Sequence, residues 1–497
     1  MLSSATDDGD QAEVLRAMRA AEEARLLDAR HWRPGALMMG EAAAVVTVTA
    51  CLGLLAYAGW LPALAAAGAA AAAVCAVSRP GAFRIAAYAG LVALPFVTAW
   101  SYAQPGQVNH VVVLSTFALG VVAAGAFQPR MFSPGFGTFF LTYLAIAGAI
   151  PLLHQGSLHG ITSVGYLVTA LAMYTLLRRS TPFERRFMVA TLLTLAVVES
   201  IVAVAQATTG WPVFAVVLPE LLVSERNYFA YFIPGVSTTV TQGSGTFVHF
   251  NTLGALLSAC LPLAFGVWLA QRRSILRLVT LLTICAGLVA TFSRGALLGA
   301  IAGALFVAWF GSTHSRRASV ALVVVLAALV ALLGLNVLAQ YYETTQNANI
   351  RVQTWQTALD DALDHPSDLA VGSGYGYYRR SVLVMGLAGE TLTRESTYMS
   401  SLHSSPLQLL LEFGLLGVVL GTLWLVTAFR SAMRARRPLT VAVLGGAVGL
   451  LCSQAFDNAL FSYAGIVFAA LMAIAESEST QDPGLAMHAD NRAWTSE

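Results

Sequence analysis

The chain contains no lysine: all 28 of its basic residues are arginine. Charge of either sign is scarce, at 11% of 497 residues against 57% hydrophobic. A water-soluble domain carries about 25% charged residues, so this composition excludes an ordinary soluble protein. It equally lacks the polar bias of a disordered chain. Cysteine is sparse too. Cys51, Cys75, Cys260, Cys285 and Cys452 all lie in apolar runs, with no Cys-x-x-Cys or Cys/His spacing. Buried thiols are expected, and neither a zinc site nor a disulfide framework. There is no repeat of fixed period, no carboxylate clustering that suggests a metal, and no feature that implies a cofactor or a nucleic-acid partner. No signal peptide is expected, since the first 35 residues are charged and end in His31-Trp32-Arg33-Pro34-Gly35. The missing lysines carry little functional meaning: arginine replaces lysine even in loops read as cytoplasmic, as a GC-rich genome would dictate.

What is present is a series of apolar runs. A membrane-spanning helix takes about 20 mostly apolar residues. Runs of this kind lie near 37–58, 62–78, 85–100, 108–127, 135–153, 160–177, 187–206, 252–270, 276–292, 295–311, 318–339, 406–429, 439–454 and 459–475. The pattern predicts an all-α integral membrane protein, a multi-pass helical bundle of about 12–14 spans. Its divisions are a cytoplasmic N-terminal segment (1–35), a transmembrane bundle (36–339) with an outer loop at 207–250, and a large periplasmic loop (340–403). C-terminal spans (404–476) and a polar, disordered tail (477–497) complete it. Residues 11–30 have the composition of an amphipathic helix able to lie on the inner leaflet.

Arginine placement sets the orientation, because cytoplasmic loops are rich in Lys and Arg. With the N-terminus inside, 22 arginines fall on inner segments and six outside: Arg226, Arg294, Arg351, Arg379, Arg380 and Arg394. Five of these six lie in the two long outer loops, 207–250 and 340–403. Long ordered loops are usually functional, so chemistry is expected on the outer face.

Arg294 is the sharpest signal. It sits in Thr291-Phe292-Ser293-Arg294-Gly295 between two uncharged runs, and an arginine near hydrocarbon costs about 2.5–3.5 kcal/mol on insertion scales. Ser293 is expected to cap the following helix and Gly295 to make the turn, which would set a guanidinium beside a helix N-terminus and form an anion site. His403, in Leu402-His403-Ser404-Ser405-Pro406, precedes another helix, with Ser405 read as its N-cap and Pro406 at its first position. The positive end of that helix favours a neutral imidazole, suited to accept a proton; a surface histidine is the plainer alternative. Glu412 lies one turn past Gln408, which predicts a Gln–Glu pair inside an apolar helix. Arg351 opens an amphipathic stretch reaching about Leu363. The glycine-rich Gly372-Ser373-Gly374-Tyr375-Gly376 that follows is a poor phosphate-loop cue and reads better as a flexible turn whose tyrosines offer stacking surfaces to sugars. Arg379 and Arg380 come next and keep an anion or glycan site open there.

At these residues the chain resembles the bacterial O-antigen ligase/O-antigen polymerase superfamily of membrane glycosyltransferases. The matching pieces occur in the family's order: GTFVHFNTLGALLS at 245–258, TFSRGALLG at 291–299, RVQTWQTAL at 351–359, GSGYG at 372–376 and LHSSPLQLLLEFGLLG at 402–417. They cover about a third of the chain. Ser404 stands where the family usually has Asn after the histidine. The resemblance implies a GT-C-like helical membrane fold with an outward-facing helical loop domain between late spans. It also implies a glycan donor on undecaprenyl diphosphate and an acceptor that is a lipid A-core or a growing polysaccharide, within lipopolysaccharide or exopolysaccharide assembly at the bacterial inner membrane. Carried over, Arg294 and Arg351 bind and neutralise the diphosphate, and His403 deprotonates the acceptor hydroxyl for an inverting, metal-independent transfer. Arg226, Arg379, Arg380, Glu412, Asn251 and Tyr375 are expected to bind substrate. Ligase, repeat-unit polymerase and protein O-oligosaccharyltransferase share this core, and a ligase is favoured slightly. From another class, a polyprenyl-lipid or polysaccharide transporter would use intramembrane acids such as Glu41, Glu199, Glu412 or Asp457 and a pair of broken helices in two repeated halves; no such pair is visible in the sequence.

Overall fold

A lipid-embedded backbone must satisfy its own hydrogen bonds, which makes helices of these apolar runs. The computed structural model describes residues 81, 83–88, 90–91, 134–155, 158–209, 230–232, 239–247, 250–270, 274–311, 354–356, 358–360, 362–374, 402–435, 437–457 and 459–479. The runs near 37–58, 62–78, 108–127 and 318–339, the 11–30 stretch and the tail beyond Ser479 lie outside the described residues. The described helices are α1 (Phe136–Gln155), α2 (Leu158–Leu177), α3 (Pro182–Thr209), α4 (Phe250–Ala270), α5 (Ile275–Ala290), α6 (Arg294–Phe310), the short α7 (Pro366–Val371), α8 (Ser405–Ala435), α9 (Pro438–Ser453) and α10 (Tyr463–Ser479). A two-stranded antiparallel ribbon, Ala230–Phe232 against Thr239–Thr241, follows α3. Among the described residues, four helices are long and apolar enough to cross a membrane, and four more are shorter apolar helices. The chain is an all-α membrane protein, with that ribbon as its small exception.

Among the described helices, α10 occupies the centre. From Ala464 to Ala475 every described residue of α10 except Gly465 is an almost fully buried apolar side chain, the pattern of a helix surrounded on all faces. Helices α2, α4, α8 and α9 pack around it.

Beside it, α4, α6 and α9 meet through small residues. A Cβ at Gly299 would stand 2.2 Å from the Gly449 carbonyl oxygen, and one at Gly303 2.3 Å from that of Gly445. Each helix thus presents a Gly-x-x-x-Gly pair to the other, the device by which membrane helices gain dispersion contact where no hydrophobic force joins them. Pro262 of α4 wedges against Gly303 and Gly449. Consequently α5 and α6, adjacent in sequence, scarcely touch. α5 packs on α3 and α4, whereas α6 packs on α4 and α9, so the 276–311 segment is a splayed pair rather than a tight hairpin.

One end of the bundle is ionic. Glu476 accepts from the Tyr174 hydroxyl at 2.7 Å and the Trp424 indole at 2.9 Å, and pairs with Arg178 at 3.0 Å. Glu478 pairs with Arg185 at 2.7 Å and Arg437 at 3.2 Å, and Arg84 pairs with Glu184 at 2.7 Å. Connections widely separated in sequence therefore share one end, where the alternation of arginines put them together. The starts of α4, α6 and α8 lie at the opposite end.

Candidate functional site

The site is built from helix starts. α6 begins at Arg294 and α8 at Ser405. Both lean on one short segment, the end of α9 and the 3₁₀ turn Gln454–Phe456. A Cβ at Gly295 would lie 3.2 Å from the Ser453 carbonyl oxygen and 3.2 Å from the Phe456 Cβ. Ser405 donates its backbone N–H to the Asp457 carbonyl at 2.8 Å, and its hydroxyl lies 3.1 Å from that oxygen and 3.2 Å from Gln454 Oε1. Five residues of a distant helix end thereby brace the two segments carrying Arg294 and His403. α4 joins them: a Cβ at Gly254 would meet the Ser293 and Ala296 Cβ atoms at 2.9 Å, and Asn251 lies one turn earlier, half-buried.

Two corrections concern how these starts are made. Ser293 occupies the N-cap position of α6, but its hydroxyl makes no cap hydrogen bond. Nor does Gly295 form the turn; it lies inside α6, and its lack of a side chain serves the close approach to Ser453. The left-handed residue is Phe292, at φ 53°. In α8, Gln408 N–H bonds the Ser404 carbonyl at 2.9 Å, so Ser404, not Ser405, stands at the N-cap. His403 precedes it at φ 47°. Phe292 and His403 are the non-glycine residues with positive φ among those described. Such conformations cost about 1–3 kcal/mol and persist where surrounding contacts impose them. Both flank the braced helix starts.

Helix α8 is broken. Gly414 has φ 69° and ψ −179°, a conformation essentially reserved for glycine. The carbonyls released before the break are taken up by the chain itself. Ser373 N–H bonds the Leu411 carbonyl at 3.2 Å and Gly374 N–H that of Glu412 at 2.9 Å. The Tyr143 hydroxyl sits between the carbonyls of Phe413, at 2.7 Å, and Val371, at 2.9 Å. Residues 372–374 are thus a clip on the helix break, while Tyr375 and Gly376 of the expected flexible turn lie outside the described residues. Gly372 and Gly374 have φ 87° and 83°, and a Cβ at Gly372 would lie 2.4 Å from the Glu412 carbonyl oxygen.

Within α8 the Gln408 amide donates to Glu412 at 2.8 Å, the pair that the spacing predicts. Both side chains are buried. Ahead of α8, the Trp355 indole N–H donates to the Leu402 carbonyl at 2.6 Å, and Trp355, Ala358, Ala362, Leu402, Leu407 and Leu411 form a small separate apolar core.

Residues 242–247 fold back onto the bundle as a loop held by α3. Glu199 accepts from the Thr246 N–H at 2.7 Å and from its hydroxyl at 2.5 Å. Gln206 accepts from Ser244 and Gly245 N–H at 2.9 and 2.8 Å and donates to the Gly245 carbonyl at 3.0 Å. Seven residues, two helical turns, separate Glu199 from Gln206, so one face of α3 holds the loop that leads to Asn251. Sequence reasoning treated Glu199 only as a possible ion-coupling acid; its placement two turns from a glutamine was the available signal. Tyr143, Trp355 and Gln454 were missed, because only tertiary contact gives them meaning.

Of the expected site residues, Arg294, His403, Glu412 and Asn251 fall at this end of the bundle. Arg226, Arg351, Tyr375, Arg379 and Arg380 lie outside the described residues. Among the described residues no three His, Cys, Asp or Glu side chains cluster as a metal site.

Residues 278–420 match the family described as O-antigen ligase. This stretch, under a third of the chain, is similar to that family and supports an O-antigen ligase/polymerase superfamily assignment. The match runs from within α5 through the Arg294 turn, the clip and His403 to the second half of α8, and so contains most of the braced site. No curated protein matches the chain. The match supports an O-antigen ligase/polymerase-type membrane enzyme.

Proposed function

We propose that this O-antigen ligase-like protein transfers a glycan from undecaprenyl diphosphate to an acceptor hydroxyl at the periplasmic face of the inner membrane. The observation that carries the proposal is the common brace: Ser453–Asp457 supports both the helix start bearing Arg294 and the one preceded by His403. A basic side chain for the leaving group and an imidazole for the attacking group are the two elements such a displacement needs.

In the proposed reaction, the acceptor oxygen attacks the anomeric carbon as His403 takes its proton. The bond from that carbon to the diphosphate oxygen breaks on the opposite face, inverting the configuration. Undecaprenyl diphosphate leaves with the electron pair, and Arg294 with Arg351 stabilises the charge that develops. Guanidinium groups bind phosphate oxygens bidentately, so no divalent metal is required. Glu412 lies two turns into the helix behind His403 and would present polar character toward the glycan together with Asn251, Arg226, Tyr375, Arg379 and Arg380. The acceptor is a lipid A-core or a growing polysaccharide. A transporter has less support: the carbonyls at the α8 break, which an ion-coupled carrier would offer to its ion, already accept from Ser373, Gly374 and Tyr143.

The test is transfer by the reconstituted protein from an undecaprenyl-diphosphate glycan to lipid A-core or polysaccharide acceptors, with divalent metal chelated. Arg294→Ala and His403→Ala should each lower turnover at least about hundredfold, as loss of a charge-stabilising group or of a general base does. Undiminished transfer by both variants would refute the site. Movement of the lipid donor across the bilayer without transfer would favour the carrier.

A further inference from the structure

His403 is held from both sides. After it, Ser405 is pinned to the Asp457 carbonyl through its N–H and hydroxyl. Before it, the carbonyl of Leu402 receives the Trp355 indole N–H at 2.6 Å, and the Leu402 side chain is buried at 3% exposure in the small core that Trp355 shares. Between these two points the backbone of His403 takes φ 47°, a conformation a β-carbon disfavours. A residue in that state keeps it only while its flanking peptides are fixed. The peptide joining Leu402 to His403 is fixed by Trp355. If its carbonyl is released, the peptide is free to rotate and His403 to relax to negative φ, which swings the imidazole away from its present direction.

From this geometry we infer that Trp355 is a positioning residue for His403, acting through the Leu402 carbonyl and not by contact with substrate. The inference rests on the transferase reading for its catalytic consequence, but the structural link stands apart from it. It also gives the motif Arg351-Val-Gln-Thr-Trp355 a second use. Trp355, four residues after the proposed diphosphate arginine in the sequence, ties down the loop that carries the proposed base.

Two replacements isolate the contact. Trp355→Phe keeps an aromatic ring and removes the donor; a benzothienylalanine at 355, introduced by codon suppression, keeps the bicyclic shape and removes only the N–H. In both, kcat per folded molecule should fall about tenfold, the scale of one hydrogen bond's worth of misalignment. KM for the lipid-linked donor should remain near that of the wild type. A second readout needs no turnover: carbethoxylation of His403 by diethyl pyrocarbonate, followed on its peptide by mass spectrometry in detergent-purified protein, should accelerate severalfold. A purely structural role for Trp355 would lower the melting temperature while leaving kcat per folded molecule and His403 labelling unchanged, and that result would overturn the inference. If His403→Ala retains transfer, the role of His403 as base fails, and the labelling rates of the two Trp355 variants still decide whether the residue positions His403.

Discussion

Gly414→Ala perturbs the break in α8 at its one indispensable atom. A methyl group there would lie 2.4 Å from the Gly372 nitrogen and 2.6 Å from the Ala370 oxygen and the Val371 carbonyl carbon, all of them backbone and unable to rotate aside. Alanine in such a conformation costs about 1–3 kcal/mol before any clash is counted. The local relief is to straighten α8 and expel the clip, which sacrifices the hydrogen bonds from Ser373, Gly374 and Tyr143. At roughly 0.5–1.5 kcal/mol each, the three bonds come to roughly 1.5–4.5 kcal/mol. The functional effect follows from leverage. Nine residues separate Gly414 from Ser405, about 13 Å along the helix, so a 20° change at the break, the size of an ordinary sharp kink, moves the helix start by roughly 4–5 Å. Misplacement by about 1 Å costs on the order of a hundredfold in rate. The variant should therefore melt at least about 3 °C lower in detergent, gain a protease-sensitive site within residues 366–374, and lose transfer by at least about a hundredfold. Gly421→Ala, on the same helix in ordinary helical backbone and facing only the Phe140 ring, serves as the control. Gly414→Ala with wild-type melting, protease resistance and turnover would refute the role assigned to the break.

Two further outcomes are expected. Glu199→Ala strands the Thr246 N–H and hydroxyl, two buried donors worth about 1–3 kcal/mol apiece when unsatisfied; Glu199→Gln retains an acceptor oxygen, so melting temperatures should rank wild type, Gln, then Ala, and equal losses for Gln and Ala would argue against the clamp. Glu476→Ala removes the shared acceptor of Arg178, Tyr174 and Trp424 at the far end of the bundle and should cost about 3–5 kcal/mol. Its folded fraction, isolated by size exclusion, should transfer glycan at the wild-type rate per molecule, and a slower rate would show the two ends to be coupled.

Much of the molecule was legible in its residues. Composition alone specified a helical membrane protein, and Arg84, Arg178, Arg185 and Arg437, assigned to one side by alternation, do gather at one end with Glu184, Glu476 and Glu478. The Gln408–Glu412 pair followed from helical spacing. The break at Gly414 did not, because hydropathy is continuous across it and a glycine inside an apolar helix more often serves close packing, as Gly299 and Gly303 do. What the Gly372–Gly374 turn grips was not legible either: glycines mark a turn, not its partner.

Where the sequence sufficed, the governing physics was local or one-dimensional. Hydrocarbon thickness sets the length of an apolar run, helical pitch sets which side chains pair within it, and shared charge marks connections that meet at one end of the bundle. Where only the tertiary structure decided, the interaction joined residues that no periodicity relates. Ser453–Asp457 beneath two helix starts, Trp355 on the Leu402 carbonyl, and Glu199 on Thr246 each involve backbone groups, which every residue carries alike. A carbonyl's partner cannot be read from the side chain that labels its position. The sequence therefore nominated Arg294 and His403, and the fold determined how they are held.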